Sequence, residues 1–306
     1  MGGVTPEERA TRRARRAARA AREAAAPTAT AAPSPVDTAE REARRARRAA
    51  RDAREASAAK PAAAAKERLP IETLYQDDDF AVSRMGDPDA RRVVLCFAGI
   101  GAGKMGQGKF AMALGGMQPA EFVGSSRLED SVVLHIADIR RSWFNGFPHH
   151  RLLGVLHPLV AGKPIVTMGN SMGAFGAIWI STLLPVEVAM AFAPQFSVHP
   201  EIMPREQRWR DWTSLIADWK VPSLADCFVP ATRYYTFNGD RDRLHWRAFP
   251  KLPNAHHYLI DGAGHKAAAK IKEAGALEPV INACLADGDP RAVMTSAGLT
   301  VTEIAA

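Results

Sequence analysis

The chain has 306 residues, 47% of them hydrophobic, which is enough for one large domain or two ordinary ones with a sizeable core. The formal net charge of +7 invites a nucleic-acid reading, but residues 1–69 carry 17 of the 40 basic and only 9 of the 33 acidic side chains, leaving the remainder within one charge of neutral. Cys96, Cys227 and Cys284 are odd in number and lack C-x-x-C spacing, so neither a disulfide framework nor a zinc site is indicated and a reducing cytoplasm is expected.

Residues 1–69 are mostly Ala, Arg, Glu and Pro, with too few branched or aromatic side chains to pack a core. Within them RRARRAARAAREA at 12–24 returns as RRARRAARDAREA at 44–56, changed only from Ala20 to Asp52. Both copies favour helix, and Pro27, Pro33 and Pro35 separate them. The expectation is a disordered or partly helical arm that at most touches an anionic partner weakly, since its Glu residues dilute the charge and no aromatics interleave to stack on bases. The arm has no apolar signal-peptide core, and no run in the chain is long and apolar enough to span a membrane.

From residue 70 the pattern changes to one domain of strands alternating with helices. Strands are predicted at 80–84, 93–97 and 132–137, a helix at 151–160, a strand at 164–169 and a helix at 171–184. Further strands follow at 186–193, 233–238 and 257–262, and a last helix at 266–285. Apolar runs in this alternation predict an α/β fold, a mainly parallel sheet with helices on both faces. Ligands then bind beyond the carboxyl ends of the strands, so the residues that follow each strand matter most.

Three strand ends carry chemistry. After 164–169 comes Gly169-Asn170-Ser171-Met172-Gly173, a G-x-S-x-G between a strand and a helix. A serine in so tight a turn needs neighbours almost free of side chain, and the helix that begins there turns its positive end to the site. The competing role for Ser171 is a helix N-cap. After 233–238 comes Gly239-Asp240-Arg241-Asp242, and at the end of the next strand Gly262-Ala263-Gly264-His265. A serine hydroxyl is a poor nucleophile alone; a histidine can take its proton and a carboxylate can orient that histidine. Asp240 and Asp242 both stand where that acid is needed. The other histidines lack Cys, Asp or Glu at ligand spacing, so no metal is expected.

These motifs, in the order Ser, Asp, His, resemble the α/β-hydrolase superfamily over about residues 71–288. The resemblance implies a triad of Ser171, Asp242 and His265, with Asp242 preferred over Asp240 by the G-x-x-D spacing. It also implies an acyl-enzyme mechanism on a small-molecule or acyl substrate, without metal or organic cofactor, and a short helical cap at about 195–230. GNSMG followed by AFAPQ is further similar to a subgroup of small bacterial hydrolases of uncertain substrate. Trp209, Trp212 and Trp219 lie in the cap segment; Trp212 and Trp219, seven apart, are expected on one helical face, either packing the cap or walling an acyl pocket. Asp138 and Trp143, in DIRRSW after the strand at 132–137, are further pocket candidates.

The stretch VVLCFAGIGAGKMGQGKF at 93–110 contains a formal G-x-G-x-x-G at Gly101, Gly103 and Gly106, which keeps a dinucleotide-binding enzyme as a rival. The rival is weakened because glycines interrupt any following helix and no acid ends a strand about 20 residues on. A P-loop is excluded by spacing, one residue short, and by Met105 where Ser or Thr must hold magnesium. With the triad in place, the first glycines are expected to carry an oxyanion hole, with Met172 and either Ile100 or Gly99 donating backbone N–H groups. A non-catalytic binding protein on the same scaffold is the other alternative.

Overall fold

Residues 69–101, 118–240 and 242–304 are described by the structure, a computed structural model, and all belong to the unit Lys66–Ala306. The N-terminal arm with its repeat, and Gly103, Lys104 and Gly106 of the glycine loop, lie outside them. Nine described strands form one sheet: β1 Ile71–Gln76, β2 Phe80–Met85, β3 Arg92–Phe97, β4 Ser131–Asp138, β5 Ile165–Asn170, β6 Val186–Phe192, β7 Arg233–Gly239, β8 Ala255–Ile260 and β9 Val301–Ile304. Their order across the sheet is β1-β2-β4-β3-β5-β6-β7-β8-β9. The six strands from β4 to β8 run parallel, while β1, β2 and β9 are antiparallel to their neighbours.

The described helices are α1 His149–Val160, α2 Met172–Trp179, α3 Arg210–Thr213, α4 Arg243–Trp246, α5 Ala267–Glu273, α6 Leu277–Leu285 and α7 Pro290–Ser296. Alternate residues of the same strands feed two cores. Val93, Leu95 and Phe97 face one side with Leu152 and Leu156 of α1 and Phe175 of α2, while Val94 and Cys96 face the other with Ile271 of α5 and Ile281 of α6. A sheet buried on both faces explains the near-continuous apolar strands. The pairing order and the strand–turn–helix after β5 make this an α/β-hydrolase fold, as the motifs implied.

Several elements differ from the sequence expectation. β1, α7 and β9 went unread, and the helix expected over 266–285 is two helices, parted at Gly275, whose φ is +72°. The helix expected over 171–184 stops at Trp179 and continues only as a 3-10 turn, Ile180–Thr182. Between β6 and β7 the single described helix is the four-residue α3. Trp212 lies in it but Trp219 lies beyond it, packed against the His199 ring at 4.8 Å, so the two do not share a helical face. The three cysteines are free and buried, where a thiol packs as a small core residue.

Candidate active site

Ser171 stands between the end of β5 and the start of α2 with φ 57° and ψ −117°, a region that L-residues avoid at a cost of roughly 1–3 kcal/mol. The turn is held because β5 and α2 approach with almost nothing between them. A Cβ on Gly169 would run into the carbonyl of Gly173, and one on Gly173 into the carbonyl of Phe97 at the end of β3. The Ser171 N–H extends the ladder by donating to Phe192 O at 2.9 Å, and Thr167 Oγ1 ties β5 to α2 by donating to Ala177 O at 2.7 Å. Ser171 occupies the N-cap position, yet its hydroxyl makes no capping bond.

The hydroxyl faces a histidine instead. His265 Nε2 lies 2.7 Å from Ser171 Oγ, and His265 Nδ1 lies 2.6 Å from Asp242 Oδ2. With an ionised carboxylate as acceptor, Nδ1–H donates to Asp242 and Nε2 accepts the serine O–H. His265 follows β8 in a turn through Gly262 and Gly264, and Asp242 precedes α4 just after β7, so three strand ends converge. Asp242, not Asp240, meets the histidine. Burial pushes the Asp242 carboxyl up, but the bond from His265 and the charge of Arg208 outweigh it and hold the group below the usual carboxylate range.

The three expected oxyanion donors separate. The Gly99 N–H is engaged by the carboxyl of Glu121, which burial raises to about 7, so this amide is already spent. Among the described residues the N–H groups of Ile100 and Met172 have no backbone acceptor. Met172 opens α2, where the first amides lack intrahelical partners. The Ile100 carbonyl is fixed by Arg141 Nε at 3.0 Å.

Asp138, expected to line the pocket, is fully buried and shapes a loop. Its Oδ2 accepts from Ser142 N–H, Ser142 O–H and Phe144 N–H at 2.8, 3.0 and 2.9 Å. Those bonds hold a turn in which Arg141, Trp143 and Phe144 all have positive φ. Burial nonetheless lifts the Asp138 carboxyl to about 6. The turn presents Trp143, whose Nε1–H donates to Gln195 Oε1 at 2.7 Å; that same oxygen is 3.5 Å from Ser171 Oγ. Trp143 therefore reaches Ser171 through one side chain. Trp212 is buried, with the Arg141 guanidinium 5.4 Å from its ring centre.

Sequence reasoning gave no role to Gln195 or Arg208 and placed Trp209 only as a tryptophan of the cap segment. Trp209 packs 5.8 Å from the His265 ring and 6.2 Å from the Trp143 ring, while Arg208 Nη2 donates to Asp242 Oδ1 at 2.9 Å. The AFAPQ signal contained Gln195 but gave it no role. Among the described residues no group of three or more His, Cys, Asp or Glu is placed to hold a metal ion, and no helix is long and apolar enough to cross a membrane.

No family model matches the chain, and no curated protein matches it. Solved structures do. The esterase domain of a Rhodothermus marinus protein is 12% identical, with a TM-score of 0.44, covering 69% of this chain and 96% of that one. A thioesterase domain from the curacin biosynthetic pathway is 13% identical, with a TM-score of 0.38, covering 71% and 100%. The capsule O-acetyltransferase of Neisseria meningitidis serogroup A is 14% identical, with a TM-score of 0.44, covering 67% and 91%. Likeness at this level says nothing of substrate or activity, so the reading of the site rests on its own geometry.

Proposed function

We propose that the chain is a serine hydrolase that cleaves an ester or related acyl bond of a small-molecule substrate through an acyl-enzyme on Ser171. The observation that carries this reading is the continuous chain from Asp242 Oδ2 through His265 to Ser171 Oγ, with contacts of 2.6 and 2.7 Å. As Ser171 Oγ bonds to the carbonyl carbon, its proton passes to His265 Nε2, and the imidazolium is steadied by Asp242. The carbonyl electron pair moves onto oxygen, within reach of the Met172 and Ile100 N–H groups and the positive end of α2. Collapse expels the leaving group, which takes the proton from His265. Water then attacks the acyl-serine by the same route and restores the hydroxyl. This chemistry needs no metal or organic cofactor.

A panel of activated acyl esters of graded chain length tests the reading. Ser171→Ala is expected to lower kcat/KM roughly 10⁴-fold or more on whichever ester is turned over, because the nucleophile and its base act as one unit. Turnover unchanged in Ser171→Ala would favour the non-catalytic scaffold reading and remove the triad from the function.

A further inference from the structure

The segment between β6 and β7 does more than cross the sheet edge. Asp242 has two carboxylate oxygens: Oδ2 takes the His265 Nδ1–H, and Oδ1 takes Arg208 Nη2 at 2.9 Å. Arg208 does not bring its charge alone. Its Nε contacts both carboxylate oxygens of Glu206 at 3.0 Å, its Nη2 contacts Oε2, and its backbone N–H donates to Oε1 at 2.9 Å. Glu206 is closed off on its other side by His245 of α4, whose Nε2–H donates to Oε2 at 2.9 Å; the two side chains are 1% and 0% exposed. With that hydrogen on Nε2, the 3.3 Å approach of Arg208 Nη2 to the same nitrogen is a close contact rather than a second bond.

A guanidinium on the free oxygen of a triad acid has two opposing effects. It fixes the carboxylate rotamer through a charge-assisted bond, which helps hold the imidazole. It also places a positive charge behind the group that must become an imidazolium, which hinders proton uptake from the serine. A carboxylate held against the same guanidinium removes the second effect and keeps the first.

We propose that Glu206 and Arg208 form a charge-balanced brace on the triad acid, in which Arg208 positions Asp242 and Glu206 cancels the Arg208 charge felt at His265. The inference rests on the serine-hydrolase reading, and it makes both side chains positioning residues that act through Asp242. The charged and titratable groups around Asp242 are His265, Arg208 and His245, with Glu206 behind them. Burial raises the Glu206 carboxyl, but the bond from His245 and the bonds and charge of Arg208 bring it down to about 2, so it stays ionised wherever the enzyme works. The Arg208 side chain is 39% exposed, so its removal leaves a shortened surface side chain and not a hole in the core. The adjoining Trp209, 5.8 Å from the His265 ring, brings the same strip of chain against the base.

The test is the second-order rate of fluorophosphonate labelling of the full chain between pH 5 and 9, for wild type, Arg208→Met, Arg208→Lys, Glu206→Gln and the double variant Glu206→Gln/Arg208→Met. Losing the positive charge should move the acid limb up by about one pH unit, and losing the negative charge should move it down by about as much. The double variant should return to the wild-type limb at a reduced rate. Arg208→Lys should keep the wild-type limb while labelling more slowly, because an ammonium cannot fork between two carboxylates. A merely structural ion pair would lower rates or melting temperatures without displacing the limb in opposite directions. Limbs that coincide in all folded variants, or that move the same way for Arg208→Met and Glu206→Gln, overturn the brace while leaving Ser171 as nucleophile. Wild type that does not label overturns the function reading itself.

Discussion

At the scale of single residues, the cluster of Ser171, His265 and Asp242 was legible because each member follows a strand and the spacing G-x-S-x-G, G-x-x-D and A-G-H survives in the linear chain. What joins Arg208 to Asp242 did not, since a contact across 34 positions leaves no local period or spacing. Asp138 shows the same gap from the other side: its place at a strand end suggested a pocket, and its three accepted bonds instead build the turn that carries Trp143. Asp138→Ala should therefore cost about 3 kcal/mol in urea unfolding, as two backbone N–H groups and a hydroxyl lose a buried partner. Asp138→Asn, which keeps an acceptor for all three, should cost less than half as much. Equal losses for the two variants would show that volume rather than hydrogen bonding holds the turn.

At the scale of elements, strongly apolar strands were found to within a residue or two, because burial on both faces leaves a plain signal. β1 escaped because Ile71–Gln76 is an edge strand whose first three residues are exposed, and β9 because it is only four residues long. The helix over 266–285 read as continuous because strong helix formers stand on both sides of Gly275, Ala, Lys and Glu before it and Ala, Leu and Glu after it. The turn between β5 and α2 leaves almost no room for a side chain. Gly173→Ala would drive a methyl group into the backbone carbonyl of Phe97, which cannot swing aside as a side chain would. A loss of roughly 3 kcal/mol or more is expected, with activity lost as α2 leaves β3. Gly124→Ala, where an added Cβ meets nothing within 4 Å, serves as the control and should stay within about 0.5 kcal/mol of wild type. Comparable thermal midpoints for the two variants would refute close backbone packing at the turn between β5 and α2.

At the scale of the whole molecule, charge separates along the chain, with the basic excess in residues 1–69 and a near-neutral remainder. Stability against pH is then set by buried groups rather than by net charge. Among the described residues neither buried His135 ring nitrogen has a hydrogen-bond partner, and burial lowers this histidine from the ordinary 6.5 to about 4. The unfolded chain binds a proton between those values that the folded chain refuses. The His135 contribution is thus complete above pH 6.5 and lost as pH falls through 4, by up to about 3 kcal/mol. Glu206, lowered to about 2, and Asp242, lowered as well, add stability above the ordinary carboxylate range that is lost as pH falls below it. Glu121, raised to about 7, and Asp138, raised to about 6, act oppositely: their contribution is complete in acid and lost as pH rises through those values. Comparing His135→Leu with wild type isolates one group. The variant should gain about 2–3 kcal/mol on wild type between pH 7 and 4.5 in urea unfolding; a gap that stays constant with pH would show that His135 is not held neutral by burial.

The central claim is that Ser171 is a nucleophile activated by His265 and Asp242, and mass spectrometry of the intact protein after fluorophosphonate treatment tests it most directly. A single covalent adduct is expected, mapping to the peptide that contains Ser171, absent from Ser171→Ala and formed far more slowly in His265→Ala. No adduct on wild type, or an adduct that persists in Ser171→Ala, would contradict it.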